Sequence, residues 1–371
     1  MNKNKPVILF LCGYQAVYGG NFIPSLMALE EGFQQQGGQC VYVFPEEAMQ
    51  RVWFAQLQQM GKTVDVFPFN ASRLTQIKHL TDLVQKYHIT IIHSHFAPII
   101  PLEIFAFLNK NVQVFIHLHS DFSSGKQNLK IKLKNLLIYK ILSARVRFIS
   151  VSKAFVNYNP AKIYWIPNAL AIKRMPCEHI LGEQIRKKYG VDKRDILCEI
   201  FGWSPKVKGV DIAVEAIKQL HTQNPSYKLA IVCGREMTVE KMPTWVAEHT
   251  SCSGREDFLL YLPPTEDVFG YHEAADMLLS ASRSEGFPYS ILEMLSLGKP
   301  CVISDIAGVN WAKKYPLSYV FASENISACK KAIVEAASEK EQVFLSKTAE
   351  QIRTDYNIHT WVNRVLNTYE N

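Results

Sequence analysis

The sequence lacks the cysteine spacings that would indicate a metal site or a disulfide framework. Its eight cysteines form no Cys-x-x-Cys pair, and most of them lie in or beside apolar stretches that we predict to be strands. Such cysteines are typical of reduced thiols in a protein interior. We therefore expect no metal and no disulfide at Cys12, Cys40, Cys177, Cys198, Cys233, Cys252, Cys301 and Cys329.

Long apolar runs are also missing near the start of the chain. The longest one there, residues 7–12, is too short for the core of a signal peptide and far too short to span a bilayer. We therefore expect a cytoplasmic protein. Of the 371 residues, 48% are hydrophobic and 20% are charged, which is typical of a globular chain, and the length favours two domains.

Acidic residues are scarce in the first half of the chain. Residues 1–172 hold 17 Lys and Arg against 8 Asp and Glu, a net charge of +9, whereas residues 173–371 carry −2. A basic half needs an acidic partner, and nucleic acid and anionic lipid both qualify. The basic residues have no interleaved aromatics and no recognition motif, so we predict no nucleic-acid partner.

Apolar stretches alternate with amphipathic ones along the chain. Residues 7–12 form the first predicted strand, residues 21–37 a helix and residues 40–44 a second strand. Further strands are predicted at residues 64–67, 89–93, 112–119, 147–152, 197–201, 229–233, 258–262, 277–281 and 300–305. This alternation indicates an α/β fold with parallel sheets covered on both faces, in which ligands bind beyond the carboxyl ends of the strands.

The most informative stretch is a strand, a loop and a helix in residues 277–300. Pro288 suits the first helical position, and the amides from Gly286 onward then face an anion at the positive end of the helix. Glu285 precedes this helix and Glu293 lies inside it, so the two carboxylates address different parts of one ligand. Because carboxylates accept hydrogen bonds from neighbouring hydroxyls, the stretch predicts a phosphate with a sugar on either side. An ordinary strand–helix turn with a solvated glutamate is the alternative.

This stretch resembles the signature of family 4 glycosyltransferases, a glutamate followed by Gly-Phe-Pro and by a second glutamate after seven intervening residues. The resemblance implies the GT-B fold, in which two Rossmann-like domains with parallel sheets face each other across a cleft and a C-terminal helix crosses back to the first domain. It also implies that Glu285 holds the donor sugar and Glu293 the ribose of the nucleotide. The donor-binding positions between them are Gly286, Phe287, Pro288, Tyr289 and Ser290.

Two segments of the first half also have counterparts in the family. Gly19 and Gly20 mark a turn after the first strand, where a plain turn and a close approach to a ligand both fit, and the resemblance places them against the donor diphosphate. Histidines end two strands, at residues 93–95 and 117–119. A hydrogen-bonded structural role is the default for them, since metal ligation by the latter pair lacks acidic or Cys partners. The resemblance places His119 in the cleft, near the sugar and the acceptor.

A second phosphate site is predicted after the strand at residues 197–201. Lys208 lies in the following loop as a flexible point charge, and the resemblance assigns it to the donor diphosphate. The family usually has Arg directly after the glycine of this loop, whereas this chain has Trp203, whose indole cannot neutralise phosphate. Either Lys206 supplies the missing charge or the donor binds more weakly. The resemblance places Arg235 near the base or the phosphate.

Residues 127–140 predict an amphipathic helix with leucines on one face and lysines on another. Lys126, Lys130 and Lys134 follow one another four residues apart and repel one another unless an anion is near. A solvated face is one interpretation. Contact with anionic lipid headgroups is the other, and it suits an enzyme at the inner face of the cell membrane whose acceptor is linked to a lipid.

We predict a hexosyltransferase that moves a sugar from a nucleotide-diphosphate donor, with UDP as the expected nucleotide, and the resemblance implies retention at the anomeric carbon. The expected acceptor is a hydroxyl of a saccharide or lipid-linked saccharide, in cell-surface polysaccharide or glycoconjugate synthesis. No Asp-x-Asp occurs in the chain, which argues against the metal-dependent alternative fold. No cofactor is expected besides the nucleotide sugar, which is a co-substrate.

The predicted domains are residues 1–170 for the acceptor and residues 171–355 for the donor, with a C-terminal helix, residues 356–371, packed on the first domain. One alternative is a non-catalytic subunit that binds a nucleotide sugar and supports a partner glycosyltransferase, for which Trp203 is the best argument. Another is a nucleotide-sugar epimerase, although the glutamates and their Gly-Phe-Pro context belong to the transferases.

Overall fold

A computed structural model describes residues 5–119, 145–153, 163–171, 173–338 and 342–370. The chain divides into two compact units. Unit 1 comprises Met1–Met175 together with Ile358–Asn371, and unit 2 comprises Pro176–Asn357. The boundaries predicted from the sequence lie after residues 170 and 355.

Unit 1 is built on a parallel sheet of seven strands. They are β1 (Val7–Cys12), β2 (Gln39–Phe44), β3 (Val64–Val66), β4 (Ile91–His95), β5 (Gln113–Leu118), β6 (Val146–Ser150) and β7 (Ile163–Trp165). Their order is β3-β2-β1-β4-β5-β6-β7, so the chain moves outward from β1 in one direction and restarts at β4 on the other side. The carboxyl ends of β1 and β4 therefore flank a switch point, where ligands bind in open α/β sheets.

Helices cover both faces of this sheet. They include α1 (Phe22–Gln35), α2 (Val52–Gln59), α3 (Arg73–Tyr87) and α4 (Ile99–Leu108). Successive side chains of β1 point to opposite faces, so Ile8 and Phe10 pack on the α1 side, and Leu9 and Leu11 pack on the side of α3 and α4. Burial on both faces explains why β1 is an uninterrupted apolar run.

Unit 2 contains a parallel sheet of six strands. They are β8 (Ile196–Phe201), β9 (Tyr227–Val232), β10 (Leu259–Leu262), β11 (Met277–Ser280), β12 (Cys301–Ser304) and β13 (Ser318–Phe321). The order is β10-β9-β8-β11-β12-β13, which places a switch point between the neighbouring strands β8 and β11. A site in this unit is therefore expected where the loops after β8 and β11 meet.

The helices of unit 2 also lie on both faces of its sheet. They are α5 (Gly182–Lys188), α6 (Pro205–Lys208), α7 (Val210–Gln223), α8 (Met242–His249), α9 (Val268–Ala274), α10 (Tyr289–Ser296), α11 (Ile326–Ala336) and α12 (Gln342–Asp355). Ile217 of α7 and Ile333 of α11 pack on one face, and Ile185 of α5 and Ala274 of α9 on the other. The two apolar layers hold the strand ends in register.

The last helix, α13 (Ile358–Glu370), belongs to unit 1 and packs on α1. Gly32 of α1 permits a close approach, because a Cβ there would lie 2.5 Å from Cγ1 of Val362. Near the end of α13, the Tyr369 hydroxyl lies 2.6 Å from Nδ1 of the buried His93. The predicted return of the C-terminal helix to the first domain is confirmed.

Some boundaries differ from the prediction. The strand expected at residues 89–93 is Ile91–His95, so both of its histidines lie within the strand, and β13 was not predicted. No helix in the described ranges combines the length and the apolar character needed to cross a membrane. All eight cysteines are described; seven are buried, whereas Cys177 is exposed.

Candidate active site

The loop between β11 and α10 lies at the carboxyl edge of the unit 2 sheet. The prediction that Pro288 takes the first helical position is wrong: with φ −70° and ψ 125° it is the N-cap residue, and α10 begins at Tyr289. Its extended ψ turns the chain into the helix. The first amides of a helix have no acceptor within that helix and lie at the positive end of its dipole, so this end of α10 suits an anion.

Lys208, at the end of α6, forms an ion pair with Glu285 in that loop. Its Nζ lies 2.5 Å from Oε1 of Glu285, and the hydroxyl of Ser282 donates to the same oxygen at 2.7 Å. The two charged side chains are only 14% and 10% exposed, so water screens them less than a surface pair. They meet because α6 follows β8 and the loop follows β11, and these strands are neighbours at the switch point.

Two glycines bring the backbones of these loops together. Gly209 has φ +69°, and a Cβ there would lie 2.0 Å from the carbonyl oxygen of Ala281. A Cβ on Gly308 would lie 1.9 Å from the carbonyl oxygen of Glu285. Only glycine allows such approaches, and Gly209 also needs glycine for its positive φ. These contacts hold the loops in place around Lys208.

Trp203 lies beside the Lys208–Glu285 pair. It is 54% exposed, and Nζ of Lys208 lies 5.1 Å from its ring centroid, within the range of a cation–π contact. Gly234 accommodates the tryptophan, because a Cβ there would lie 2.6 Å from Cβ of Trp203. An aromatic side chain therefore contacts the Lys208 ammonium at the position where the family usually has Arg.

Lys206 forms an ion pair with a different carboxylate, that of Asp211. Its Nζ lies 2.8 Å from Oδ2 of Asp211, and Arg283 donates to both oxygens of Asp211 at 2.9 Å. Burial raises the pKa of Asp211, but hydrogen bonds from Arg283 and Lys206 outweigh it and hold that pKa below its usual value. The charge of Lys206 is thus offset locally. Sequence reasoning missed Arg283, although its place two residues before Glu285 was a signal.

Phe287 anchors the loop on the core of unit 2. It is buried and stacks on Trp311, with ring centroids 4.2 Å apart and planes inclined by 13°. Of the other residues predicted to bind the donor, Gly286 and Pro288 are buried, and Tyr289 and Ser290 are partly exposed. The stacking fixes the loop just before α10 begins.

Arg235 lies three residues beyond β9, the strand beside β8. Its side chain is 44% exposed, and its Nη2 lies 3.5 Å from Oε1 of Glu236, which is 86% exposed. Exposed pairs of this kind contribute little to stability. Because the guanidinium is partly exposed, an anion at this edge of the sheet can reach it.

Glu293, the second glutamate of the motif, is 5% exposed on α10. Its Oε2 lies 3.5 Å from Nε2 of His272 on α9, whose Nδ1 lies 2.6 Å from Oε2 of Glu199 on β8. Burial lowers the pKa of His272, but the two carboxylates raise it to about 9, so the ring is charged at neutral pH. Sequence reasoning missed His272 and Glu199, although a glutamate in the middle of an apolar strand was a signal.

In unit 1, His119 belongs to a stack of four imidazoles. His93 and His95 lie on β4, His117 on β5 and His119 directly after it. Nδ1 of His95 lies 2.9 Å from Nε2 of His119, and Nε2 of His93 lies 3.2 Å from Nδ1 of His117. Burial lowers the pKa of His93 to about 3, so that ring is neutral. His119 is the partly exposed member at the edge of the stack.

Three of these rings form the one group in the described ranges whose ligand atoms lie close enough to hold a metal. Ring nitrogens of His93, His95 and His117 lie within 4.8 Å of one another. The group includes no carboxylate or thiolate, and within the described residues the Nε2 atoms of His95 and His117 have no hydrogen-bond partner. The rings are held chiefly by stacking and hydrogen bonds among themselves and with Tyr369.

Phe96 supports His119 at the switch point of unit 1. Its ring stacks on that of His119, with centroids 4.1 Å apart and planes inclined by 21°. Phe96 has φ +54°, which is strained for a bulky residue, and a Cβ on Gly13 would lie 2.3 Å from its carbonyl oxygen. No local pattern in the sequence predicts this backbone.

Gly19 and Gly20 lie between β1 and α1. Gly20 has φ +56°, which favours glycine. Gly19 is buried, and a Cβ there would lie 2.9 Å from Cγ of Met175 and 3.4 Å from Cβ of Trp53. Packing inside unit 1 thus explains the glycine at position 19, and the positive φ explains the glycine at position 20.

Residues 182–353, which span nearly all of unit 2, match the model of the family described as glycosyl transferases group 1. These residues of the chain are therefore similar to this glycosyltransferase family. The resemblance predicted from the stretch between Glu285 and Glu293 is thereby confirmed. The chain is 24% identical over 318 residues, 81% of each chain, to the UDP-Gal:alpha-D-GlcNAc-diphosphoundecaprenol alpha-1,3-galactosyltransferase of Escherichia coli. It is 23% identical over 255 residues, 66% of this chain and 64% of the other, to the N-acetyl-alpha-D-glucosaminyl L-malate synthase of Bacillus anthracis.

Solved structures share the fold of this chain. Anabaena Alr3699/HepE in complex with UDP matches with a TM-score of 0.74 at 18% identity, covering 99% of this chain and 100% of the other. A glycosyltransferase from Rickettsia africae ESF-5 matches with a TM-score of 0.74 at 16% identity, covering 99% and 98%. At these identities the likeness concerns the fold alone. It confirms the predicted GT-B class, with two Rossmann-like domains on parallel sheets.

The residues predicted for the glycosyltransferase site are only partly brought together. Lys208, Glu285 and Trp203 are in contact in unit 2, whereas Lys206 is paired with Asp211. The predicted lysine face, Lys126, Lys130 and Lys134, lies outside the described residues.

Proposed function

We propose that this glycosyltransferase moves a sugar from a UDP-sugar to a hydroxyl of a saccharide or lipid-linked acceptor, with retention at the anomeric carbon. The observation that carries the proposal is the Lys208–Glu285 pair beside the segment that starts α10, because it joins a cation for a diphosphate to a carboxylate for a sugar. Two similar proteins support the donor class, since one is named for UDP-Gal and another was solved with UDP.

Lys208 and the first amides of α10 would stabilise the departing diphosphate. Fixed donors that face the charge developing on a leaving group lower the barrier to transfer. The ammonium of Lys208 carries three hydrogens, so it can bind phosphate oxygens while it keeps its contact with Glu285. Arg235 would supply a further cation. In this proposal the protein supplies the positive charge, and no resident metal ion is required.

Glu285 would position the donor sugar and not attack it. Its Oε1 is already bound by the ammonium of Lys208 and the hydroxyl of Ser282, and such contacts make a carboxylate a weaker nucleophile. The remaining acceptor sites of the carboxylate suit two neighbouring sugar hydroxyls. The acceptor hydroxyl would attack from the face that the nucleotide leaves. Its proton would pass to the leaving phosphate, and the anomeric configuration would be retained.

His119 would serve the acceptor in unit 1. Its Nε2 is held by His95, and a second ring nitrogen of an imidazole can exchange a hydrogen bond with a hydroxyl. The Escherichia coli relative is named for a substrate on diphosphoundecaprenol, which supports a lipid-linked acceptor and a role in cell-surface glycoconjugate synthesis. Lys126, Lys130 and Lys134 would then contact anionic lipid at the inner face of the membrane.

The test is an assay of the purified full chain with UDP-glucose, UDP-galactose and UDP-N-acetylglucosamine and a lipid-linked saccharide. We expect UDP release that depends on the acceptor, and an α-linked product by NMR. Glu285→Gln should lower transfer about 10²- to 10³-fold, as expected for loss of a fixed group at the transition state. Glu335→Gln, at a half-exposed position of α11, is the matched control and should transfer normally. A β-linked product would overturn retention, and normal turnover by Glu285→Gln would remove Glu285 from the site.

Trp203 favours a second candidate, a subunit that binds a nucleotide sugar without turning it over and supports a partner glycosyltransferase. An indole supplies no positive charge to a diphosphate, so this loop offers one cation fewer than the usual family pattern. The same assay separates the two candidates. A binding subunit would bind UDP yet show neither transfer nor donor hydrolysis as a purified chain.

A further inference from the structure

We infer that His272 is a positioning residue for the nucleotide sugar, because it holds the carboxylate of Glu293 from within the core of unit 2. The inference rests on the proposed function and on the role that the family resemblance implies for Glu293, which is to hold the ribose of the donor. It adds a residue with no place in the motif and no exposure to solvent, since His272 is fully buried.

The geometry links three elements through one ring. His272 on α9 lies with Nδ1 2.6 Å from Oε2 of Glu199 on β8 and with Nε2 3.5 Å from Oε2 of Glu293 on α10. The first contact is a short, charge-assisted hydrogen bond. The second is longer, and Nε2 has no closer partner within the described residues. His272 therefore orients the carboxylate of Glu293 through an ion pair, without a hydrogen bond that would fix it.

Charge explains why the ring must stay protonated. Two carboxylates buried at 1% and 5% exposure are costly unless a cation accompanies them. Burial lowers the pKa of His272, and the carboxylates of Glu199 and Glu293 raise it to about 9. The imidazolium is thus the form present at neutral pH; its Nδ1 donates to Glu199, and its Nε2 faces Glu293 at ion-pair distance without a hydrogen bond.

The other groups around the ring do not replace it. The Nζ of Lys299 donates to the carbonyl oxygens of His272 at 2.9 Å and Ala275 at 2.6 Å, so this cation closes the end of α9. Cys301 on β12 is a buried thiol, and burial followed by the charge of Glu199 raises its pKa. The rings of Phe201 and Phe269 also lie near it, with centroids 5.8 Å and 6.2 Å from that of His272.

Loss of one proton has a defined consequence. The 2.6 Å bond to Glu199 keeps the remaining proton on Nδ1, so Nε2 becomes a lone pair that faces the carboxylate of Glu293. Two acceptors facing each other repel, and Glu293 turns away from the orientation it has in the protonated state. A carboxylate has about four acceptor sites, so contact with His272 leaves capacity for two ribose hydroxyls only while its orientation is held. Donor affinity should therefore fall as pH rises past about 9.

Two substitutions separate the two contacts. The amide nitrogen of Asn takes approximately the place of Nδ1 and that of Gln the place of Nε2. His272→Asn should keep the bond to Glu199 and lose the contact with Glu293, whereas His272→Gln should keep a donor toward Glu293 that does not titrate. The matched control is His221→Asn, since His221 also faces a carboxylate, with Nε2 3.3 Å from Oδ1 of Asp257.

The experiment is calorimetric titration of UDP into the full chain and the three variants between pH 7 and pH 10, with circular dichroism to measure the folded fraction. We expect His272→Asn to bind UDP about tenfold more weakly at pH 7.5, the effect of losing one charge-assisted contact. The affinity of His272→Gln should stay within a few-fold of the wild type at pH 7.5 and decline less above pH 9. Uracil also titrates in this range, and the comparison with His272→Gln removes its contribution.

The outcomes distinguish this inference from the proposed function. If the wild type binds UDP and folded His272→Asn binds it equally well, His272 is a structural residue and the inference is wrong. Equal pH dependence in the wild type and His272→Gln also overturns it, and this comparison remains available if His272→Asn does not fold. Absence of UDP binding by the wild type at every pH rejects the proposed donor site itself.

Discussion

Lys208 and Glu285 are 77 positions apart in the sequence, and their Nζ and Oε1 atoms are 2.5 Å apart in unit 2. The contact exists because the strands that precede them, β8 and β11, are neighbours in the sheet although the strands β9 and β10 lie between them in the sequence. The cation of Lys208 suits a diphosphate, and the carboxylate of Glu285 suits the hydroxyls of a sugar.

Replacing Lys208 should separate catalysis from folding. Lys208→Ala removes the cation that we assign to the leaving diphosphate and should lower transfer about 10²- to 10³-fold. Initial rates at saturating donor, corrected for the folded fraction, measure the effect. Lys331→Ala, at an 81% exposed side chain on α11, is the control for loss of a surface lysine. Equal rates in the two variants would exclude Lys208 from the chemistry.

Trp203→Arg should strengthen donor binding. The substitution places a guanidinium where an indole now contacts Lys208, so a diphosphate gains a charged partner. We expect the Kd for UDP to fall about tenfold at low salt, with a smaller gain at high salt. Uridine, which lacks the diphosphate, is the control ligand and should bind equally to both proteins. A gain for uridine as large as that for UDP would contradict the electrostatic explanation.

Gly209→Ala should destabilise unit 2 much more than Gly190→Ala. Both glycines have a positive φ, +69° and +64°, so both substitutions carry the same kind of backbone strain, about 1 kcal/mol. A Cβ on Gly209 would also lie 2.0 Å from the carbonyl oxygen of Ala281, whereas a Cβ on Gly190 meets nothing within 4 Å. We expect the free energy of unfolding to fall by about 2 kcal/mol more for Gly209→Ala. Urea denaturation of both variants measures it, and equal losses would show that the loop moves aside at little cost.

Glu103 should make unit 1 less stable at alkaline pH. It is fully buried on α4, neither carboxylate oxygen has a partner within the described residues, and burial raises its pKa to about 7. The folded state therefore holds this proton more tightly than the unfolded chain, whose Glu pKa is about 4.3. The resulting contribution to stability is complete below about pH 4 and is lost as pH rises through about 7.

Glu103→Gln, which does not titrate, tests this dependence. Relative to the variant, the wild type should lose about 2 kcal/mol of unfolding free energy between pH 5 and pH 8. Urea denaturation of both proteins at the two pH values provides the measurement, with the exposed Glu46→Gln as control. A difference between wild type and Glu103→Gln that does not change with pH would contradict a raised pKa.

Local patterns predicted many of the elements but not all of their ends. The apolar run at residues 7–12 coincides with β1 because every side chain of that strand is buried, so no polar residue blurs its limits. The strand with His93 and His95 was placed two residues early, since buried histidines do not look apolar in a sequence. Pro288 was expected inside the helix, and its ψ, which depends on how the loop packs, placed it just before.

The sequence by itself determined the alternation of strands and helices, the motif from Glu285 to Glu293 and the resemblance to the glycosyltransferase family, because apolar periodicity and residue spacing are local properties of the chain. Tertiary structure alone decided that Lys208 contacts Glu285 while Lys206 contacts Asp211, and that Glu293 meets a buried His272. These pairings depend on which strands become neighbours and on which charges are excluded from water. Both follow from the packing of distant segments, which no local pattern encodes.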